Sequence, residues 1–381
     1  MKTYKVLLAA IFMLLLIGCS DKSVRNVSEN DISDDKVSEV KVSEENEFIF
    51  IDERVEFMAG VLSQTTWMNK RGPKGDGNLY FQELKAFFDD YKDHKAISIA
   101  EELTQEGFTY DAPVHFILCH RDLPLLNKDH DYGEILLERV ESEAKLDEFR
   151  IALSNLAEES NFHEFYINHK VDYDDMLTQV KAGFEFESYF NWMENFYGYR
   201  KDNFSTILAP SMFPGGGYGI NIVSENEEFS YFVLREDGNS SKKAKFSVNP
   251  LAITVHEFGH SYVNPLTRDN LDLIEAYDLQ ELYEPVKEKM TMNHYGSVET
   301  FFNEQIIRSI TYFAKRDFIN QASADAERKR DIRQGFYLSD FTISQLEIYL
   351  DNRDQYKIFD DFIPVLYKAY FDNKDNILNN N

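Results

Sequence analysis

Apolar residues recur at three- and four-residue spacing from Arg54 to about Arg200, the period of helices that bury one face. Val55, Met58, Ala59, Val61 and Leu62 carry this pattern first. Leu79 to Tyr91, Ala96 to Leu103 and Ile135 to Leu156 continue it, with breaks at Pro113 and Pro124. Phe184 to Tyr199 is dense in aromatic residues, a stripe expected to be packed core. Between Phe204 and Val248 the period shortens toward two. Ser205 to Ala209, Tyr218 to Val223 and Phe229 to Leu234 read as strands, with turns at Glu225-Asn226 and Asp237-Gly238-Asn239. The helical period then returns and persists through Tyr370. The pattern predicts an α+β chain: a largely helical N-terminal lobe over residues 48–200, then a lobe over 201–381 in which a small sheet precedes further helices. No internal domain repeat is evident.

At the change from strands to helices stands His256-Glu257-Phe258-Gly259-His260. On a helix, residues four apart lie one turn from each other on the same face, so both imidazoles can reach one metal ion. Glu257 projects beside them, where it can take a proton from a metal-bound water without ligating the metal. The flanks favour a helix. Phe246-Ser247-Val248 reads as a strand end, Asn249 as an N-cap and Pro250 as a first helical residue. Asn264-Pro265 is expected to stop the helix. Gly259 weakens a helix by about 1 kcal/mol, but in a buried helix its missing side chain lets a neighbouring element approach.

A catalytic zinc needs a third protein ligand and leaves the fourth position to water. Val263 and Leu266 stand where a longer run of the motif would place Gly and His, so the ligand must come from elsewhere. Glu304 is the first candidate. Its setting, Phe301-Phe302-Asn303-Glu304-Gln305-Ile306-Ile307-Arg308, reads as an interior helix, where a carboxylate is costly unless a cation compensates it. Arg308, one turn on, can orient that carboxylate. Glu281 is the rival, with Glu284 and Glu275 behind it, in a stretch of alternating charge typical of a solvated helix.

Together, His256-Glu257-Phe258-Gly259-His260 and the later Phe302-Asn303-Glu304 resemble the gluzincin group of zinc metallopeptidases. From Arg54 through Arg316 the chain also resembles an uncharacterised family of bacterial lipoproteins with a zincin-like core. In that family the His-Glu-Phe-x-His motif runs into a segment like His260-Ser261-Tyr262-Val263-Asn264-Pro265 here. The resemblance implies a zincin-like catalytic domain of small sheet and metal-binding helices. It also implies Zn2+ as cofactor, a Tyr or His as oxyanion donor and an edge strand that holds the substrate. Tyr218, in the glycine-rich Pro214 to Ile222, and His294, with Tyr295 beside it, are the candidates for that donor.

The N-terminus bears on location. Lys2 and Lys5 precede an apolar core, Val6 to Ile17, too short to span a membrane, so residues 1–18 read as an export signal. Leu16-Ile17-Gly18-Cys19 resembles a bacterial lipobox, which implies cleavage before Cys19, its lipidation, and anchoring at the cell envelope outside the cytoplasm. Residues 19–47, with Val-Ser-Glu repeated at Val27, Val37 and Val42, read as a polar disordered tether. Of the 2 cysteines, Cys119 then remains alone in an apolar run and is expected to be a buried thiol.

A formal net charge of −27 argues against nucleic acid and anionic lipid headgroups as partners. Two functions compete. The first is a membrane-anchored zinc metallopeptidase acting on peptide or protein substrates, with His256, His260 and Glu304 as ligands and Glu257 as general base. The alternative is a non-catalytic binding or scaffolding lipoprotein that keeps the zincin fold.

Overall fold

Strand burial explains the sheet and its place in the molecule. A computed structural model describes residues 48–379 apart from 74–76, 141, 182–185, 202, 214–216, 224–227, 238–241, 247–250, 252 and 294. Its four strands are β1 (Ile49–Phe50), β2 (Phe204–Ala209), β3 (Gly217–Val223) and β4 (Glu228–Arg235), in the order β1-β2-β4-β3. β1, β2 and β4 run parallel, and β3 is antiparallel to β4 at the edge. β2 and β4 are apolar and buried along most of their length, as strands covered on both faces must be. Phe204, Leu208, Phe232 and Leu234 face the C-terminal helices. Ile207, Ala209 and Val233 face the N-terminal ones. In β3, Tyr218, Ile220 and Ile222 are buried, whereas Gly219, Asn221 and Val223 are exposed. One face of the edge strand is therefore open.

The α+β expectation holds: most described residues are helical and the sheet is small. The three predicted strands agree with β2, β3 and β4 to within a residue or two. β1 carries no periodicity signal because it is only 2 residues long. Ile135 to Leu156 is not one helix. It divides into Gly133–Leu137 and Glu143–Ser160, and Ser142 caps the second by accepting the N–H of Lys145. The aromatic stripe is core, as expected. Phe190 stacks on Phe204 at 5.3 Å, and Tyr197 stacks on Tyr262 at 4.0 Å. The Phe186–Tyr197 helix thereby packs against the His-Glu motif and the C-terminal helices, although it precedes the strands in sequence.

At the centre of the C-terminal helices runs Val298–Phe318, capped by the Ser297 side chain, which accepts the Thr300 N–H. Every residue from Phe301 to Thr311 is buried. A polar or charged group on this helix therefore needs partners inside the protein.

Candidate metal centre

The motif begins in a wide π turn, Ile253–Glu257, and continues as an α-helix, Gly259–Asp269. π turns inside helices shift side-chain directions and recur at functional sites. Here the turn leaves the His256 and His260 rings with centroids 5.2 Å apart and nearly perpendicular. A Cβ at Gly259 would lie 3.2 Å from the Tyr197 hydroxyl and 3.4 Å from Ile307 Cγ2. That glycine lets the Val298–Phe318 helix approach, as its position in the motif suggested.

Pro265 does not stop the helix; it lies inside it. A proline in a helix leaves the carbonyl four residues earlier without its N–H partner. That carbonyl belongs to Ser261, and the Lys201 ammonium donates to it at 2.7 Å. Lys201 also pairs with Glu228 at 2.5 Å, tying the motif helix to β4. A distant cation thus carries the helix through the position where local rules end it. The expected strand end and cap over residues 247–250 lie outside the described residues.

Glu304 meets the two histidines. Its Oε2 is 3.7 Å from His256 Nε2, and its Oε1 is 3.4 Å from His260 Nε2. One ligand atom from each of the three residues falls within 4.8 Å of the others. Atoms about 2.1 Å from one cation at tetrahedral angles would be roughly 3.4 Å apart, so the donor set fits a metal ion. His260 Nδ1 is 3.1 Å from the Asn264 side-chain oxygen. Donation through Nδ1 leaves the Nε2 lone pair directed at the metal position. The group can hold a metal ion.

Burial and charge act differently on each member. Burial opposes ionisation of Glu304, but Arg308, His256 and His260 outweigh it and hold the carboxyl well below its usual range. Burial lowers His256 to about 3, keeping it neutral as a metal ligand must be. His260 is raised despite burial because Glu304 faces it. Glu257 is pushed up by burial to about 7, the range in which a carboxylate serves as a proton acceptor at neutral pH. The site opens on the His260 side, where the imidazole is 22% exposed against 9% for His256 and 2% for Glu304.

Other predicted residues fall elsewhere. Tyr218 is not at this site. Successive strand residues point to opposite faces, and Tyr218 turns to the N-terminal helices, buried against Phe213 and Arg235. Its neighbour Gly219 faces the motif instead: a Cβ there would lie 3.6 Å from Glu257 Oε2. His294 lies outside the described residues, as do Cys19, the export signal and the tether. Glu281 pairs with Lys374 at 2.7 Å and Glu284 with Lys287 at 2.7 Å, so Glu304 alone of those candidates joins the histidines. Cys119 is buried, and burial pushes its thiol up to about 12. Among the described residues no helix is long and apolar enough to cross a membrane.

Asn264 and Asp331 carried no expectation as site residues. Asn264 had a usable signal, four residues after His260 on the same helix face. Gly219 lies within the glycine-rich Pro214 to Ile222, already read as part of the site. Asp331, which accepts from Arg308 at 3.0 Å, lies on the next helix and had no such signal.

No curated protein and no solved structure matches the chain. A family described as Domain of unknown function (DUF4932) matches residues 40–369, and the chain belongs to that family.

Proposed function

We propose that the protein is a zinc-dependent metallopeptidase, with His256, His260 and Glu304 as metal ligands and Glu257 as general base. The observation that carries this reading is the convergence of a glutamate on two histidines, with a second, differently tuned glutamate, Glu257, in the same motif. A pair of carboxyls sent apart by their surroundings supports separate roles, one as ligand and one as proton carrier.

A bound zinc would supply an acidified water and polarise the substrate carbonyl. Glu257, its carboxyl raised by burial to about 7, takes the proton of the attacking water and passes it to the leaving amine. Asn264 holds the His260 ring in the tautomer that ligates. β3 supports a polypeptide substrate. Among the described residues it is an edge strand, whose outer backbone groups can pair with an extended chain, and Gly219 leaves clearance beside Glu257. The zincin-like likeness rests on the same combination of small sheet, edge strand and metal helix. By the lipobox-like Leu16-Ile17-Gly18-Cys19, the enzyme would be lipid-anchored and act outside the cytoplasm.

The Glu257→Gln variant tests this directly. Metal analysis of protein purified without chelators is expected to show one zinc per chain in wild type and variant. Cleavage of a peptide library is expected only from the wild type, with the variant at least 100-fold slower. A zinc-free wild type, or a fully active variant, would reject the assignment.

A further inference from the structure

Behind Glu304 sits a buried guanidinium whose donors are divided among three elements. Arg308 Nε donates to Glu304 Oε2 at 2.9 Å within the Val298–Phe318 helix. Its Nη1 donates to Asp331 Oδ1 at 3.0 Å, on the Gln321–Gln334 helix. Its Nη2 donates to the Tyr295 hydroxyl at 3.2 Å, in the segment ahead of the helix. The face of the guanidinium lies over the Phe336 ring at 4.0 Å. Arg308, Asp331 and Tyr295 are all buried.

From this geometry we infer that Tyr295 and Asp331 lock Arg308 as a positioning residue that makes Glu304 a one-oxygen metal ligand. The inference rests on the metal reading above and concerns how the site is built. A planar guanidinium held at three nitrogens and one face cannot turn to release Oε2. Charge-assisted bonds of this kind are the strong ones, so Oε2 stays with Arg308. Oε1, which faces His260 Nε2 at 3.4 Å, is left for the cation. Two-oxygen binding would require Glu304 to weaken its bond to Arg308. The fork therefore keeps a coordination position for water and substrate.

Asp331 has a second effect. Arg308 alone would neutralise Glu304 and weaken its attraction for a cation. By sharing the guanidinium, Asp331 leaves Glu304, Arg308 and Asp331 with a net negative charge. The Gln321–Gln334 helix thus belongs to the site although it contributes no ligand.

Cobalt(II) is the probe, because its visible absorption is intense when four-coordinate and weak at higher coordination. Purified wild type, Asp331→Asn and Arg308→Lys are titrated with cobalt against a competing chelator. Spectra are recorded at saturation, and melting of the metal-free forms is measured alongside. Wild type is expected to give the intense spectrum. Asp331→Asn should bind about 10- to 100-fold more weakly. Arg308→Lys keeps the charge but not the fork, and should give the weaker, higher-coordinate spectrum. Wild-type affinity and spectrum in both variants would overturn this inference alone, as would lowered melting without a change in either. A wild type that takes up no cobalt would overturn it together with the metal reading.

Discussion

Glu304 and Glu56 are both buried carboxyls, and their neighbours send them in opposite directions. Glu304 faces Arg308 and two imidazoles and stays ionised. Glu56, on the Glu53–Ser63 helix, is fully buried with Tyr80 and Ser211 as polar neighbours, and burial pushes it up to about 8. A carboxyl raised on folding costs nothing below its unfolded value of 4.5; its penalty grows as pH rises toward about 8. Glu56→Gln cannot ionise, so it is expected to stabilise the protein by roughly 3 kcal/mol near neutral pH and by little at pH near 5. Chemical unfolding of both proteins at the two pH values measures this; an equal gain at both would show that folding does not raise the Glu56 carboxyl. Glu304 has the opposite sign. Its contribution is present above 4.5 and is lost as pH falls below it, so it does not enter the comparison.

At the scale of elements, two glycines of β3 show different reasons for the same residue. A Cβ at Gly217 would collide with the Phe232 ring and approach the Val233 carbonyl. At Gly219, among the described residues, nothing but Glu257 Oε2, at 3.6 Å, would stand near. Glycine weakens a strand and often marks a place where a ligand passes close; at Gly219 no packing among the described residues demands it. Gly217→Val is expected to destabilise by about 1–3 kcal/mol through overpacking. Gly219→Val should fold and bind metal normally yet cleave peptides at least 10-fold more slowly, because its branches would occupy the space beside Glu257. Melting temperature, zinc content and kcat/KM of the two variants separate these outcomes; undiminished cleavage by Gly219→Val would show that substrate does not cross β3 there. The π turn and Lys201 belong to this scale too. One sets the directions of the histidines, and the other sustains the helix past Pro265.

Across the whole molecule the sheet divides the interior into two apolar regions, and the proposed metal ligands lie beside the one built largely by the C-terminal helices. A cation held by the motif segment and the Val298–Phe318 helix would join elements that unfolding separates. At zinc 100-fold above its dissociation constant, the folded state should gain about 2.7 kcal/mol. Wild type is therefore expected to melt several degrees higher with zinc than after chelation, and Glu304→Ala to show little of that shift. The variant is a necessary control because a chain of net charge −27 attracts cations nonspecifically. Equal shifts in both proteins would place the stabilising zinc elsewhere.

Periodicity and residue chemistry, taken alone, were enough for the helical character of most of the chain, three of the four described strands and the pairing of His256 with His260, and they placed Glu304 first among the candidates for a third ligand. These are local signals: side-chain direction within one element, and the cost of an acid in an apolar helix. Arg308 was legible because it lies one turn from Glu304. Packing decided what remained. Whether Glu304 or Glu281 meets the histidines depends on which helix crosses the motif, and Tyr218 yields to Gly219 because strand register sets the face each presents. Pro265 is tolerated, and Asp331 belongs to the site, only because residues far apart in the chain are brought within hydrogen-bonding distance by folding.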